Sequence, residues 1–247
     1  MEIVILILIG ILVGIFVISM GGGGGAIYLG ILTALFHLPA ATAATTSLIT
    51  AIPSLLLGAY AYYRQGKIDF KIGNKMLIAA LPAVVIGSLL APLIPKMVYT
   101  IIIGLILIVL GIQIFLKTRQ SNSSKDDATH NNNFKAIGYG FLSGLMVGIA
   151  GLSGGGPIVA GLLLMGLDMI NAAATSAYVL IGTSIVGALL HVSNGQVDWT
   201  AGIGLMIGAL IGAFIAPYLM TKFKHSSTWL PPIMAVLLIV MGIKTII

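Results

Sequence analysis

Apolar runs long enough to cross a hydrocarbon layer recur from one end of this chain to the other, and they leave few folds open to it. Segments at 3–19, 41–63, 74–94, 98–116, 136–151, 173–192, 200–220 and 229–247 read as eight long helices, since about 20 helical residues span a bilayer core. Of 247 residues, 59% are hydrophobic and 7% charged, more apolar surface than a water-soluble domain can hide. The chain therefore reads as an all-α polytopic membrane protein embedded in a lipid bilayer. The first run, Ile3 to Ile18, lacks the basic leader and small-residue cleavage site of a signal peptide and reads as a retained span.

The net charge of +6 would suggest nucleic acid in a soluble protein. Here the basic residues gather in loops between spans, which is the positive-inside pattern of a plasma-membrane protein. Arg64, Lys67, Lys71 and Lys75 crowd one loop, and Lys117, Arg119, Lys125 and Lys135 crowd the central polar stretch. Both are read as cytoplasmic. There are no cysteines, which excludes disulfides, iron–sulfur clusters and thiol catalysis. The four histidines and six acidic residues show no metal-ligand spacing, so neither a metal nor another cofactor is expected.

Two short apolar segments, 26–37 and 157–169, follow glycine runs at Gly21–Gly25 and Gly154–Gly156. Each is too short to cross the core comfortably and reads as a half-helix or re-entrant segment. The two runs pair at an offset of 131, Thr46-Ser47 pairs with Thr175-Ser176 at 129, and Gln65–Phe70 pairs with Asn194–Trp199 at 129. Ala91-Pro92 pairs with Ala216-Pro217 at 125. The landmarks fall in the same order, so the chain reads as two homologous repeats, each of four long helices and one short or broken one. The repeats are placed at 1–117 and 136–247, joined by a cytoplasmic linker at 118–135. The loop Asn194–Asp198 lacks Lys and Arg whereas Lys222 and Lys224 lie in the next. That reversal predicts an inverted second repeat, which requires an odd number of crossings per copy.

Glycine lets a chain break inside a membrane, and the free amides of the helix that follows add about half a positive charge at its N-terminus. Gly23, Gly24, Gly25, Gly154, Gly155 and Gly156 are thus candidates for binding an anion at the interface of the repeats. Thr45, Thr46, Ser47, Thr175 and Ser176 place hydroxyls where they could complete its shell; close helix packing and bonding to the helix backbone are the competing roles. His37 and Asp168, equivalent at an offset of 131, are candidates for proton coupling or, alternatively, interfacial residues. Tyr60, Tyr62, Tyr63, Trp199 and Trp229 read as interfacial anchors. Gly151-Leu152-Ser153-Gly154 also matches the G-x-S-G of rhomboid proteases with His191 as a conceivable base, a remote enzymatic alternative. Small-residue surfaces suit a homodimer as well as internal packing.

These same residues resemble the TauE/SafE sulfite exporter family. The resemblance rests on Gly21–Gly25 with Thr45-Thr46-Ser47 and Gly66-Lys67-Ile68-Asp69-Phe70, and on Gly151-Leu152-Ser153-Gly154-Gly155-Gly156-Pro157 with Thr175-Ser176 and Gly195-Gln196-Val197-Asp198-Trp199. The first copy has Ala26 where the second has Pro157. The resemblance implies a transporter, not an enzyme, that moves sulfite or a related sulfur-containing anion such as a sulfonate outward. It adds Ser153 and Pro157 to the candidate binding residues. An interior-negative potential would drive such an anion out. Import, or a channel for another small anion or metabolite, is the alternative.

Overall fold

The computed structural model describes residues 2–19, 21, 27–29, 31–32, 36–90, 93, 95–119, 132–151, 154–192, 197–222, 232–233, 235–236, 238–240 and 242–243. The described residues are helical, with no strand among them. The helices are α1 (Glu2–Ser19), α2 (Ala40–Arg64), α3 (Phe70–Leu90), α4 (Lys96–Arg119), α5 (Asn132–Ala150), α6 (Gly155–Leu164), α7 (Met169–Val192) and α8 (Trp199–Lys222). Stretches Thr42–Arg64, Phe70–Leu90, Met169–Val192 and Trp199–Leu219 are each long and apolar enough to cross a membrane. Shorter helical pieces lie at 27–29, 31–32 and between 232 and 243. Of the eight long segments read from sequence, seven correspond to α1–α5, α7 and α8. α4 runs on to Arg119 and α5 starts at Asn132, so both helices extend into the central polar stretch.

Polarity is distributed as lipid demands. Large apolar side chains face outward, among them Leu12, Ile78 and Leu189, each about 70% exposed, while Ser47, Thr50, Ser54, Ser143, Thr175, Ser176, Thr183 and Ser184 are buried. A hydroxyl facing hydrocarbon would lose its hydrogen bonds without replacement, so the interior collects them. The three tyrosines near the end of α2 divide on the same principle. Tyr60 and Tyr63 are exposed, but Tyr62 is fully buried and donates to the Ile18 carbonyl (3.1 Å). Tyr62 is therefore a tie between α1 and α2, not an interfacial anchor: residues 60 and 63 share a helix face that 62 does not. Trp199 is exposed, and Trp229 lies outside the described residues.

Helix packing crosses between the halves of the chain. α1 lies along α8 in the same direction, because Gly10 meets Leu205–Ala209 and Gly14 meets Ala209. α3 lies along α5 in the same way, with Gly140 on Met76, Gly144 on Ala80 and Gly148 on Val84. A Cβ added at Gly10 or Gly14 would stand 2.6 Å from a carbonyl oxygen of α8, and one at Gly87 would stand 2.8 Å from the Leu145 oxygen. Only glycine permits backbones this close, and without a hydrophobic force between helices in lipid, close backbone packing holds such pairs together. Between the two pairs, α2 packs against α7.

Candidate functional site

Each glycine break rests on the central helix of the other half. Gly21, in the left-handed region at φ 81°, lies against Ala173 and Ser176 of α7 and Val159 of α6. Gly151, at φ 63°, lies against Ala44 of α2 and His191 of α7. The separation of Gly21 from Gly151 matches that of Ala44 from Ala173 to within one position, so the two contacts are counterparts.

The hydroxyls singled out from sequence hold these crossings together. The Asp69 amide donates to Thr175 Oγ1 (2.9 Å), and the Asp198 amide donates to Thr46 Oγ1 (3.1 Å). Asp69 and Asp198 in turn cap α3 and α8, accepting from the Ile72 and Ala201 amides, each at 3.0 Å. The carboxylate satisfies one orphan amide of the helix start. The cap residue's own amide is then satisfied by a threonine from the opposite half, a role that a glutamate of the same helix fills in a capping box. Ser176 donates to the Gly21 carbonyl (2.5 Å), while Ser47 donates to the Ala44 carbonyl of its own helix (2.8 Å). Thr46 and Thr175 accept in these bonds, which leaves their protons for another acceptor. Thr45 is buried beside them.

These groups form two clusters, not one. Gly151 touches both Ala44 and His191, so those residues are level on the α2/α7 pair. Ser176 precedes His191 by about four helical turns, roughly 22 Å along the α7 axis. Thr175, Ser176, Gly21 and Asp69 thus gather near one end of the pair; Thr46, Ser47, Gly151 and Asp198 gather near the other.

The second break continues inward. Ser143, about halfway along α5, donates to the Gly154 carbonyl (2.7 Å), and Gly154 is the N-cap of α6 with no side chain capping it. The buried Gly155 and Pro157 and the half-buried Gly156 form the first turn. The free amides of a helix start consequently lie inside the protein at mid-depth. Gly23, Gly24, Gly25 and Ser153 lie outside the described residues, as do Ala91 and Pro92.

His37 and Asp168 are both exposed. The left-handed residue at the end of each short segment is His37 (φ 51°) in the first and Gly166 (φ 97°) in the second. His37 and Gly166 have the same separation as Thr46 and Thr175, so Gly166 rather than Asp168 matches His37. Asp168 faces the start of α7, accepting weakly from the Asn171 amide (3.4 Å). Among the described residues no group of three metal-ligating side chains is found.

Residues 6–245 match the family model for the sulfite exporter TauE/SafE. The chain belongs to the TauE/SafE family. Three curated relatives from Bacillus subtilis (strain 168) agree with that membership. The probable membrane transporter protein YdhB is 30% identical over 220 residues, covering 85% of this chain and 87% of its own. The probable membrane transporter proteins YunE and YjnA are each 26% identical, over 100% and 98% of this chain and 98% of their own in both cases. As a TauE/SafE member the chain is a multi-pass membrane transporter, which carries the hydrolase reading of Ser153 and His191 no further.

Read from sequence, Thr46 and Thr175 are candidate ligands with backbone bonding as the competing role; in the structure they accept from aspartate amides. A signal for this lies in the residues themselves: Thr46 and Asp69 both recur at an offset of 129, and recurrence at one offset is what a reciprocal contact requires. Thr46→Val or Thr175→Val keeps side-chain shape but leaves a part-buried cap amide unpaired. Each is expected to cost about 1–3 kcal/mol of stability, read as a lower unfolding midpoint in detergent. An unchanged midpoint in both would show that the amides find other partners.

Proposed function

We propose that this TauE/SafE transporter carries sulfite or a related small sulfur-containing anion out of the cell, through a path between two inverted repeats. The observation that carries the reading is the reciprocal crossing of the two glycine breaks. Supporting the repeats, the cap contacts and the helix pairs have counterparts: Asp69 with Thr175 and Asp198 with Thr46, α1 on α8 and α5 on α3. Supporting the inversion, α1 lies parallel to α8 and α5 parallel to α3, while α8 starts beside Thr46 on α2 and α3 starts beside Thr175 on α7. The counterparts α1 and α5 therefore begin at opposite ends of the α2/α7 pair.

An anion suits what lines the breaks. The buried interior of the described residues presents hydroxyls and no fixed cation, and the start of α6 supplies amides that have no side-chain cap among the described residues. Such a site stabilises negative charge by dipoles, without a lysine or arginine whose burial would itself be costly. Thr46, Ser47, Thr175 and Ser176 flank the path at its two ends, with Gly154, Gly155 and Gly156 between them.

Radiolabelled sulfite flux in proteoliposomes tests this. Saturable efflux is expected, faster when the interior is made negative, because 100 mV contributes about 2.3 kcal/mol per charge. Flux equal to that of empty liposomes would overturn sulfite as substrate. Flux that accumulates sulfite against an interior-negative potential would overturn export in favour of coupled import.

A further inference from the structure

Two hydroxyls in the interior are buried and make no hydrogen bond among the described residues: Tyr28 Oη and Ser184 Oγ. Nearly every buried hydroxyl in a folded protein has a partner, and inside a membrane none can come from lipid. Tyr28 belongs to the short segment after the first glycine break and is 0% exposed. Its hydroxyl lies by Ser54 without reaching hydrogen-bond geometry, and Ser54 gives its own proton to the Ala51 carbonyl (2.8 Å). Tyr28 therefore retains an uncommitted proton, and Ser54 uncommitted lone pairs.

The place of these groups matters as much as their state. Ala44 is level with His191 and Leu48 reaches Gly187, so α2 and α7 run antiparallel and the centre of the pair lies close to residues 52 and 183. Ser54 and Ser184 lie within about one turn of that centre, roughly midway between the two threonine clusters. The uncapped start of α6 lies at mid-depth too, against Ser143. Ser47, Thr50 and Ser54 continue along one face of α2 at spacings of three and four, a run of buried hydroxyls leading from one cluster to the centre.

We propose that Tyr28 is a substrate-binding residue: its phenolic hydroxyl donates to the oxyanion at mid-depth, with Ser54 beside it. The proposal rests on the anion-transport reading above and gives it a specific donor. It also breaks the equivalence of the halves. The separation of Gly21 from Gly151 carries Tyr28 onto Ile158, and that of Gly23 from Gly154 carries it onto Val159. Neither has a hydroxyl, so the donor comes from one half only and one anion is bound, not a symmetric pair.

The test is oxyanion binding to purified wild type and Tyr28→Phe in detergent. It is read as the ligand-induced shift of the unfolding midpoint across sulfite, sulfate, thiosulfate, an alkyl sulfonate and phosphate. Phenylalanine keeps the ring and removes only the hydroxyl. Wild type is expected to respond to at least one of these anions, and Tyr28→Phe to bind it roughly tenfold or more weakly. The anion-free midpoint should be unchanged or higher, because an unpaired buried hydroxyl has been removed. Equal binding by both proteins overturns the role of Tyr28 while sulfite transport stands. Where wild type responds to another of these anions but not to sulfite, loss of that binding in Tyr28→Phe supports Tyr28 and overturns sulfite. A lower anion-free midpoint in Tyr28→Phe makes the hydroxyl structural and overturns the proposal, and no response of wild type to any of the anions overturns both readings.

Discussion

Gly144→Val is expected to lower the unfolding midpoint in detergent by roughly 10 °C, and Gly208→Val by a similar amount. At Gly144 a Cβ would land on the Ala80 carbonyl oxygen and stand 2.8 Å from the Ala83 Cβ; at Gly208 it would land on the Ile7 carbonyl oxygen and stand 2.8 Å from the Gly10 Cα. These are backbone atoms and an alanine Cβ in the middle of helices, so no side chain can rotate away and the helix pair must separate. Overpacking of this kind costs about 3 kcal/mol or more, a large fraction of a marginal stability of roughly 5–15 kcal/mol. For a chain of this size each kcal/mol moves the midpoint by about 2–4 °C. The control is on the same helix: a Cβ at Gly138 meets nothing within 4 Å, so Gly138→Ala should match wild type. Equal midpoints for Gly138→Ala and Gly144→Val would mean that α3 and α5 are not held by backbone contact.

Much of this architecture is legible from the residues alone, for identifiable reasons. The long spans show because lipid imposes a minimum length and a composition on them, and the duplication shows because glycine, aspartate and threonine recur at nearly constant offsets. What cannot be read is which copy of a recurring residue touches which. Thr46 and Asp69 look like neighbours within one half, yet each bonds to the counterpart in the other half; the contact spans 152 residues in one case and 106 in the other. Tyr62 sits among exposed tyrosines and is distinguished from them only by helix phase and the nearness of Ile18. Tyr28 carries no pattern at all, because an isolated tyrosine in an apolar segment reads as an interfacial anchor until its burial is known. The glycine breaks are thus legible from the residues alone, whereas the buried, unpartnered Tyr28 hydroxyl, which has no counterpart in the second half, is not.

The same geometry changes what a substitution at the second glycine break can be taken to mean. From sequence alone Gly154→Val is expected to stop transport and leave the fold intact. In the structure a Cβ at Gly154 would fall on Ser143 Oγ, 2.6 Å from the Ser143 carbonyl oxygen, and the hydroxyl it displaces is the one that bonds the Gly154 carbonyl. Valine must therefore push the start of α6 off α5 and carry the free amides of its first turn with it.

Transport of whichever anion the wild type carries is expected to fall roughly 100-fold in Gly154→Val, since a displacement of about 1 Å at a binding group is enough for that, and the unfolding midpoint should fall as well. Ser143→Ala removes only the hydroxyl bond and should lower flux far less, with a stability cost of about 1 kcal/mol. Combining Ser143→Ala with Gly154→Ala separates the two explanations. The carbonyl of Ser143 remains in the way when its hydroxyl is gone, so the double variant should stay nearly inactive. Flux near the Ser143→Ala level in the double variant would show that only the hydroxyl crowds position 154. The backbone approach between α5 and the start of α6 would then not be what sets the depth of the break.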